Sequence, residues 1–232
     1  MKRFKNHNNL HSYIKKYNID DIFQKNIFSS MELHTFNRGE HICRSHEKIN
    51  YFYFLVEGKM KVYTLLKNGR SLLLRFYTPL QVIGDVELLS CNFTTCNVEA
   101  ITDVECIGIP IKLLRQEAQE DIIFLQFICK SLSDKLSNSS YWNAVNLLYP
   151  LENRLASYIL AIANSDEDYA VPFNEIKTNN LTDMAELLGT SYRHLNRTLN
   201  NLCKKNIIKK EKNSLIILNR EGLEKLAGDL YK

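Results

Sequence analysis

The chain has 232 residues, of which 45% are hydrophobic and 24% are charged, and its formal net charge is +4. This is the composition of a globular protein with one large or two modest domains, and it excludes a collagen-like, low-complexity or wholly disordered chain. No apolar run approaches the ~20 residues that span a bilayer, and the polar start carries no secretory signal, so we expect a soluble, cytoplasmic protein with no membrane partner.

Residues 1–110 are predicted to form a β-roll behind two short helices, over residues 7–17 and 20–28. Runs rich in Tyr, Phe, Val, Ile and Leu follow between glycines, and Asn68-Gly69 is a strong hairpin signal. Short strands with regular turns and no βαβ alternation favour a jelly roll. The predicted strands are residues 31–37, 40–44, 51–56, 59–66, 71–77, 98–101 and 104–109.

Residues 111–149 are predicted to form one long dimerisation helix, because helical spacing runs from about residue 111 to 148 before Pro150 ends it. A seven-residue repeat along this helix is typical of a two-stranded coiled coil. The polar end of the seam, at Ser139, Asn143 and Asn146, is where a ligand or strain could adjust the partner helices. The alternative is a helix packed on its own β-roll. The predicted homodimer interface is Leu125, Cys129, Leu132 and Leu136.

Residues 150–232 are predicted to form a winged helix-turn-helix. A helix over residues 151–164 and an exposed linker at 165–168 precede it. Asn180 can cap a first helix, Gly189 supplies a left-handed turn, and Ser191 can cap a second helix. Residues 207–218 then alternate into a two-stranded wing that turns at residues 212–214.

The basic charge of the chain is concentrated in this segment, where seven lysines and arginines between residues 190 and 214 accompany a single carboxylate, Glu211. A polyanion binder requires such a patch. Arginine and asparagine on the second helix are major-groove readers, whereas lysines at the helix end and on the wing mainly supply charge to the phosphates. The alternatives are a solvated lysine-rich face and, for Arg197, an ion pair with Glu186. The predicted DNA-binding residues are Ser191, Tyr192, Arg193, Asn196, Arg197, Lys204, Lys209, Lys210 and Lys212.

The order of these parts resembles the Crp/Fnr family of bacterial transcription regulators over essentially the whole chain. The resemblance implies an α+β fold with an N-terminal cyclic-nucleotide-binding-like jelly roll, a long dimerisation helix and a C-terminal winged helix-turn-helix. It also implies a homodimer on a near-palindromic double-stranded DNA operator and a contact with RNA polymerase. Besides the helix-turn-helix, the stretches that carry it are residues 38–40 (Arg-Gly-Glu), 53–63, 82–89 and 152–156 (Glu-Asn-Arg-Leu-Ala).

Two positions depart from the family within the helix-turn-helix. Arg197 lies where family members carry their reading arginine, but Arg193 stands where the best-known members carry glutamate, and Thr198 replaces an aliphatic packing residue. The family's usual operator therefore does not carry over. None of the common catalytic signatures occurs in the sequence, so we predict no catalytic residue and no enzyme. A further alternative function is a protein-interaction module that binds neither DNA nor a small ligand.

The predicted effector pocket departs from the family's cyclic-nucleotide cassette, in which Gly-Glu is followed about ten residues later by an arginine that neutralises the phosphate. Here Gly84-Asp85 is followed by Thr94-Thr95, and no lysine or arginine occurs between Arg75 and Lys112, although five carboxylates do. Burying a phosphate there would cost several kcal/mol, so we expect no cyclic AMP binding. A cyclic-nucleotide-responsive regulator stays the alternative, because serines are kept where family members contact the adenine. The pocket candidates are Gly84, Asp85, Thr94, Thr95, Ser139 and Ser140.

A redox or metal sensor is the other alternative for the signal. The six cysteines include no C-x-x-C pair, so we expect free thiols, and the first, Cys43, lies too far along the chain for the N-terminal cluster of iron–sulfur members. His41, Cys43 and His46 could offer metal ligands, and Cys91 with Cys96 could be redox-active. We nevertheless expect no metal site, no haem and no iron–sulfur cluster. The sequence does not identify the activating signal.

Overall fold

A computed structural model describes residues 2–4, 7–89, 93–118, 120–163, 175–177, 180–228 and 230. Its contacts divide the chain into two units, one made of Met1–Val62 and Tyr77–Ser140, the other of Tyr63–Phe76 and Tyr141–Lys232. Two features of the sequence, Cys91 and the linker predicted at 165–168, lie outside the described residues. None of the helices in the described ranges is both long and apolar enough to cross a membrane.

Two antiparallel sheets build the β-roll, and together with the long helix and the helix-turn-helix they confirm the predicted α+β fold. The glycine-punctuated apolar runs of the sequence form most of these strands. In spatial order, the first sheet contains β1 (Lys2–Phe4), β2 (Glu32–Phe36), β9 (Val104–Pro110), β4 (Tyr51–Glu57) and β7 (Val82–Ile83). The second contains β3 (His41–Cys43), β8 (Asn97–Ala100), β5 (Met60–Leu65) and β6 (Ser71–Tyr77).

The N-terminal helical prediction is half correct. Helix α1 spans His7–Tyr17 as predicted, but residues 20–28 form no α-helix. Short 3₁₀ helices lie instead at Ile19–Ile22 and Phe28–Ser30. Between them Phe23 has an extended backbone. Its ring stacks on that of Phe124 with centroids 4.9 Å apart. Tertiary packing of this ring has therefore overridden the local helical pattern.

The long helical segment is broken once, contrary to the prediction of one continuous helix. Helix α3 spans Ile111–Ala118 and helix α4 spans Ile122–Leu148. Asp121 separates them, because one of its carboxylate oxygens accepts from the backbone N–H of Phe124 at 2.9 Å and the other from that of Gln24 at 2.8 Å. Asp121 is therefore the N-cap of a new helix, which satisfies a donor that a helix start leaves unpaired.

One face of α4 packs against the first sheet. Phe124 and Ile128 are fully buried, and the ring of Phe124 lies against Phe52 of β4 with centroids 5.9 Å apart. A neighbouring face of the helix is apolar yet open, since Ile122 is 62% and Leu136 72% exposed. The alternative of a helix packed on its own β-roll is therefore correct for one face only.

The second unit contains the C-terminal helices and a small sheet. The sheet has three strands, β10 (Glu175–Lys177), β12 (Ser214–Ile217) and β11 (Ile208–Lys210), in that spatial order. The prediction had a wing of only two strands. It lacked β10, which is far from the other two strands in sequence and pairs with β12 in an antiparallel manner. The helices are α5 (Leu151–Ala163), α6 (Leu181–Leu187), α7 (Tyr192–Lys204) and α8 (Arg220–Ala227), and a short helix α2 (Asp85–Leu89) belongs to the first unit.

Candidate nucleic-acid interface and ligand pocket

The helix-turn-helix is set by two side-chain caps and a left-handed glycine. Asn180 Oδ1 accepts from the backbone N–H of Thr182 at 2.9 Å, while its Nδ2 donates to Asp183 at 2.8 Å. Gly189 has φ +62°, which favours glycine. Ser191 Oγ then accepts from the backbone N–H of His194 at 3.2 Å and starts α7. The predicted caps and turn therefore direct two short helices as a helix-turn-helix requires.

Helix α7 separates a buried from an exposed side. Leu195, Leu199 and Leu202 are fully buried. The predicted readers Ser191, Tyr192, Arg193 and Arg197 are exposed, and Asn196 is half-buried. In the described part of the chain no ion pair joins Arg197 to Glu186, so the sequence-based alternative for this arginine has no support. An open cleft of about 430 Å³ lies between Ser191, Arg193, His194 and Arg197.

Thr198 explains one departure from the family pattern. It is 7% exposed, and its Oγ1 donates to the backbone oxygen of His194 at 3.0 Å. The hydroxyl is therefore satisfied inside the helix and needs no partner from the core.

The predicted phosphate-contacting lysines differ in their surroundings. Lys204 and Lys212 are exposed. Lys209 pairs with Glu211 at 2.8 Å, and this hydrogen bond raises the pKa of the lysine. Lys210 is half-buried, and its Nζ donates to Asn196 Oδ1 at 2.7 Å. Sequence reasoning missed the last contact, because strand and helix positions 14 residues apart show no periodic relation.

Three consecutive residues of α5 hold the helix-turn-helix, although the sequence suggested no role for them beyond family resemblance. Glu152 pairs with Lys205 at 2.6 Å, and Asn153 Nδ2 donates to the backbone oxygen of Leu226 at 2.9 Å. Arg154, 8% exposed, donates through Nη1 to the backbone oxygen of Leu188 at 2.6 Å, just before the turn. One turn of α5 thus contacts the C-terminal ends of α6, α7 and α8. These contacts fix the position of α7, which carries the predicted DNA-reading residues.

The pocket candidates Gly84 and Asp85 start helix α2. Gly84 has φ +99°, and a Cβ there would lie 3.3 Å from the backbone oxygen of Tyr51. Asp85 is only 1% exposed, and its carboxylate accepts from Lys135 Nζ at 2.7 Å and from Ser131 Oγ at 3.0 Å. Both partners belong to α4.

Lys135 corrects the view that this pocket has no cation. The count from Arg75 to Lys112 missed a lysine that lies further along the chain and reaches Asp85 from α4. Burial opposes its charge, but Tyr77 and Asp85 outweigh burial and raise the pKa of Lys135. The ammonium is thus charged and already paired, and it also donates to the backbone oxygen of Val82 at 2.9 Å.

Thr94 and Thr95 do not act as a pair. Thr94 is 3% exposed, and its hydroxyl donates to the backbone oxygens of Arg44 and Glu47, so it holds the loop that follows β3. Thr95 is exposed. Glu87 is buried near Thr95, and burial raises the pKa of its carboxyl, with Asp85 acting in the same direction.

Ser139 and Ser140 lie on α4, about one helical turn beyond Lys135. Ser140 Oγ donates back to the oxygen of Leu136 at 3.5 Å, and among the described residues no hydrogen bond joins either serine to Gly84, Asp85 or Thr94. Their placement beside a ligand therefore stays a prediction.

Two features of the described residues bear on the sensor alternatives. The described residues contain no group of three or more His, Cys, Asp or Glu that could hold a metal ion. Burial raises the pKa of the Cys43 thiol to about 12, with Glu87 and Cys96 adding to the shift. A thiol this reluctant to ionise is a poor redox centre.

The predicted dimer residues lie along the open face of α4. Leu125 and Leu132 are half-buried, while Cys129 and Leu136 are exposed. The face has no partner within the described residues of one chain, which leaves the dimer as a prediction.

Two family models match separate parts of the chain. A cyclic nucleotide-binding domain matches residues 33–121, and a Crp-like helix-turn-helix domain matches residues 153–226. The first contains Gly84, Asp85, Thr94 and Thr95, and the second contains α6, α7 and most of α5.

The similar proteins are described as regulators. The chain is 30% identical over 211 residues to the regulatory protein YeiL of Escherichia coli O157:H7, which covers 89% of this chain and 90% of that protein. It is 23% identical over 198 residues to a CRP-like cAMP-activated global transcriptional regulator of Mycobacterium tuberculosis, covering 83% and 86%. A solved transcriptional regulator of the CRP family from Thermus thermophilus shares the fold with a TM-score of 0.67 and 21% identity, over 86% of this chain and 98% of that one.

Proposed function

Because the chain belongs to the Crp/Fnr family of transcription regulators, we propose that it is a homodimer that recognises a near-palindromic DNA operator and responds to a signal other than a cyclic nucleotide. The Crp-like helix-turn-helix makes it a DNA-binding regulator, and the relatives are regulators rather than enzymes. By the same resemblance, the bound dimer contacts RNA polymerase. The proposal includes no resident haem, metal or iron–sulfur cofactor.

The observation that carries sequence-specific binding is the exposed front of α7. Arg193 and Arg197 are exposed beside the N-cap Ser191, and the opposite side of the helix is fixed in the core. The N-terminal turns of the second helix enter the major groove in this motif, and arginine there matches the O6 and N7 of guanine.

Capture of genomic DNA fragments tests this proposal. We expect the wild-type chain to retain a small set of fragments with discrete footprints. A variant with Arg193, Asn196 and Arg197 all changed to Ala should lose these footprints while keeping weak, salt-sensitive binding, because its lysines are intact. If the variant retained the same fragments as the wild type, recognition by α7 would be wrong.

The open face of α4 supports the homodimer. Ile122 and Leu136 are 62% and 72% exposed, beside the half-buried Leu125 and Leu132. Burying two such seams against each other contributes several kcal/mol, which suits a twofold dimer. Sedimentation should give about 54 kDa, twice the chain mass of 27.1 kDa. Specific operator binding by a species of one chain mass would contradict the dimer.

The ion pair of Asp85 and Lys135 supports the proposal that the pocket does not bind a cyclic nucleotide. The lysine that reaches this pocket is already neutralised by a carboxylate 2.7 Å away and is hydrogen-bonded to Val82, so a phosphate would have to displace both. The Thr94 hydroxyl already donates to backbone oxygens, so it has no hydrogen left to donate to a ligand. Displacing a buried ion pair without replacing its contacts costs several kcal/mol.

A cyclic-nucleotide-responsive regulator is the second candidate, because the first unit matches the cyclic nucleotide-binding domain. Calorimetry of the dimer with cyclic AMP and with cyclic GMP separates the two. The proposal expects no heat of binding at millimolar ligand, and micromolar affinity for either nucleotide would favour the second candidate.

A further inference from the structure

Lys210 contacts helix α7, which carries the predicted DNA-reading residues, whereas the other lysines of the wing do not. It ends β11, and its Nζ donates to Asn196 Oδ1, on α7, at 2.7 Å. Both side chains are half-buried. Lys209, one residue earlier, is exposed and pairs with Glu211. Two adjacent lysines therefore have different partners, and only one of them touches a predicted base-reading side chain.

The chemistry of this contact fixes the orientation of the Asn196 amide. A lysine ammonium has three donors and no acceptor, so only the amide oxygen can face it. The Nδ2 amino group is on the other branch of the amide and points away from Lys210. An unrestrained asparagine exchanges the two groups by rotating its amide about 180°, since this torsion is broad and roughly twofold. Asn196 must break the contact with Lys210 to do so.

We propose that Lys210 is a positioning residue that makes Asn196 act as a hydrogen-bond donor towards DNA, so that the pair rejects cytosine at one operator position. This inference rests on the proposed function and deepens it. In the major groove both purines present the N7 acceptor and thymine presents O4, whereas cytosine presents the N4 amino donor. A fixed donor opposite cytosine leaves two donors desolvated and unpaired, which lowers the affinity.

Removal of Lys210 should therefore broaden the operator as well as weaken binding. In Lys210→Met the Asn196 amide is released and can turn its oxygen to the N4 amino group of cytosine. We expect discrimination against cytosine at that position to fall from about tenfold to about twofold or less. Lys209→Met is the matched control, because it removes the same charge from the neighbouring residue and should weaken all sequences alike.

A second variant changes the reading group itself. Asn196→Asp keeps the length of the side chain and its contact with Lys210 but offers only oxygen acceptors to the groove. Because cytosine is the base whose edge is a donor alone, the preference at this position should move towards cytosine. Asn196→Asp keeps Lys210 in place. Its shift in base preference can therefore be measured even if Lys210→Met is less stable.

The test is competition binding at one fixed salt concentration with the wild-type operator and versions of it that carry each base at each half-site position. Full-length wild type, Lys210→Met, Lys209→Met and Asn196→Asp are compared after thermal unfolding shows each to be folded. Loss of one base preference in Lys210→Met alone, with the shift in Asn196→Asp, is the expected result. Unchanged preferences in Lys210→Met, with a uniform loss of affinity, would overturn the proposal. A wild type without any preferred operator would instead contradict the proposed function.

Discussion

Asp85 shows how one side chain from a later part of the chain changes the character of a site. The residue is 1% exposed and its carboxylate would be costly to bury alone, but Lys135 and Ser131 of α4 satisfy it. The sequence identified Asp85 from its neighbour Gly84. It could not identify Lys135, because a contact 50 residues apart leaves no local pattern.

Lys135→Met should destabilise the first unit by about 3–5 kcal/mol, because it leaves the Asp85 charge buried without its partner. The double variant with Asp85→Asn removes both charges and should recover most of this loss. Urea unfolding of the full chain measures the free energies. Additive effects of the two single substitutions would show that the two residues do not interact.

Glu87 gives the first unit a predictable dependence on pH. Burial raises the pKa of this carboxyl in the folded state, so its contribution to stability is present below the ordinary glutamate pKa and is lost as the pH rises through the raised value. Glu87→Gln should therefore be more stable than wild type at pH 7 and equal to it near pH 4. Exposed Glu120→Gln removes one negative charge from the surface and is the control for the change in net charge. Parallel pH profiles for wild type and Glu87→Gln would contradict this assignment.

Arg197 and Lys204 should differ in the kind of binding they support. Arg197→Ala removes an exposed side chain from the front of α7 and should cost about 1–3 kcal/mol on the operator and far less on scrambled DNA. Lys204→Ala, at the end of the helix, should weaken both DNAs equally and lower the salt slope by about one unit. Fluorescence anisotropy across a salt series measures both. An equal loss on the two DNAs for Arg197→Ala would refute a base-reading role.

At the scale of whole elements, the long helix separates what the sequence can predict from what it cannot. The seven-residue spacing of Leu125 and Leu132 predicts a helix with an apolar seam, and the helix is present. The break before Ile122 was missed, because Asp121 acts as a cap only when Phe124 and Gln24 are close to it in space. Strand β10 was missed for the same reason, since three residues become a strand only by pairing with β12.

Cys129 provides a direct test of the α4 seam. It is exposed in the single chain and lies at a seam position, where the same residue of a twofold partner would face it. Mild oxidation with copper–phenanthroline and oxygen should join two chains through these thiols, giving a reducible covalent dimer. Cys129→Ser should abolish the product, and Leu136→Glu should reduce it by preventing association. Cross-linking that persists in Cys129→Ser would place the dimer interface elsewhere.

At the scale of the whole molecule, the order of parts carried more information than any single motif. A glycine-punctuated β-roll, a seamed helix and a capped helix–Gly189–helix segment with a basic wing sufficed to predict the fold and the family. The local caps at Asn180 and Ser191 were predictable because they depend on residues two or three positions away. The contacts that tune the two sites, Lys135 with Asp85 and Lys210 with Asn196, were not, because only folding brings those residues together.

Selection from a random pool of double-stranded DNA tests the central claim, which is sequence-specific recognition of DNA by a twofold dimer. The full-length protein is used without added nucleotide, and the bound DNA is sequenced over successive rounds. The account predicts enrichment of one near-palindrome whose half-sites lie about 10–11 bp apart, centre to centre. A pool that stays random through every round, or one that converges on a single unrepeated half-site, would contradict it.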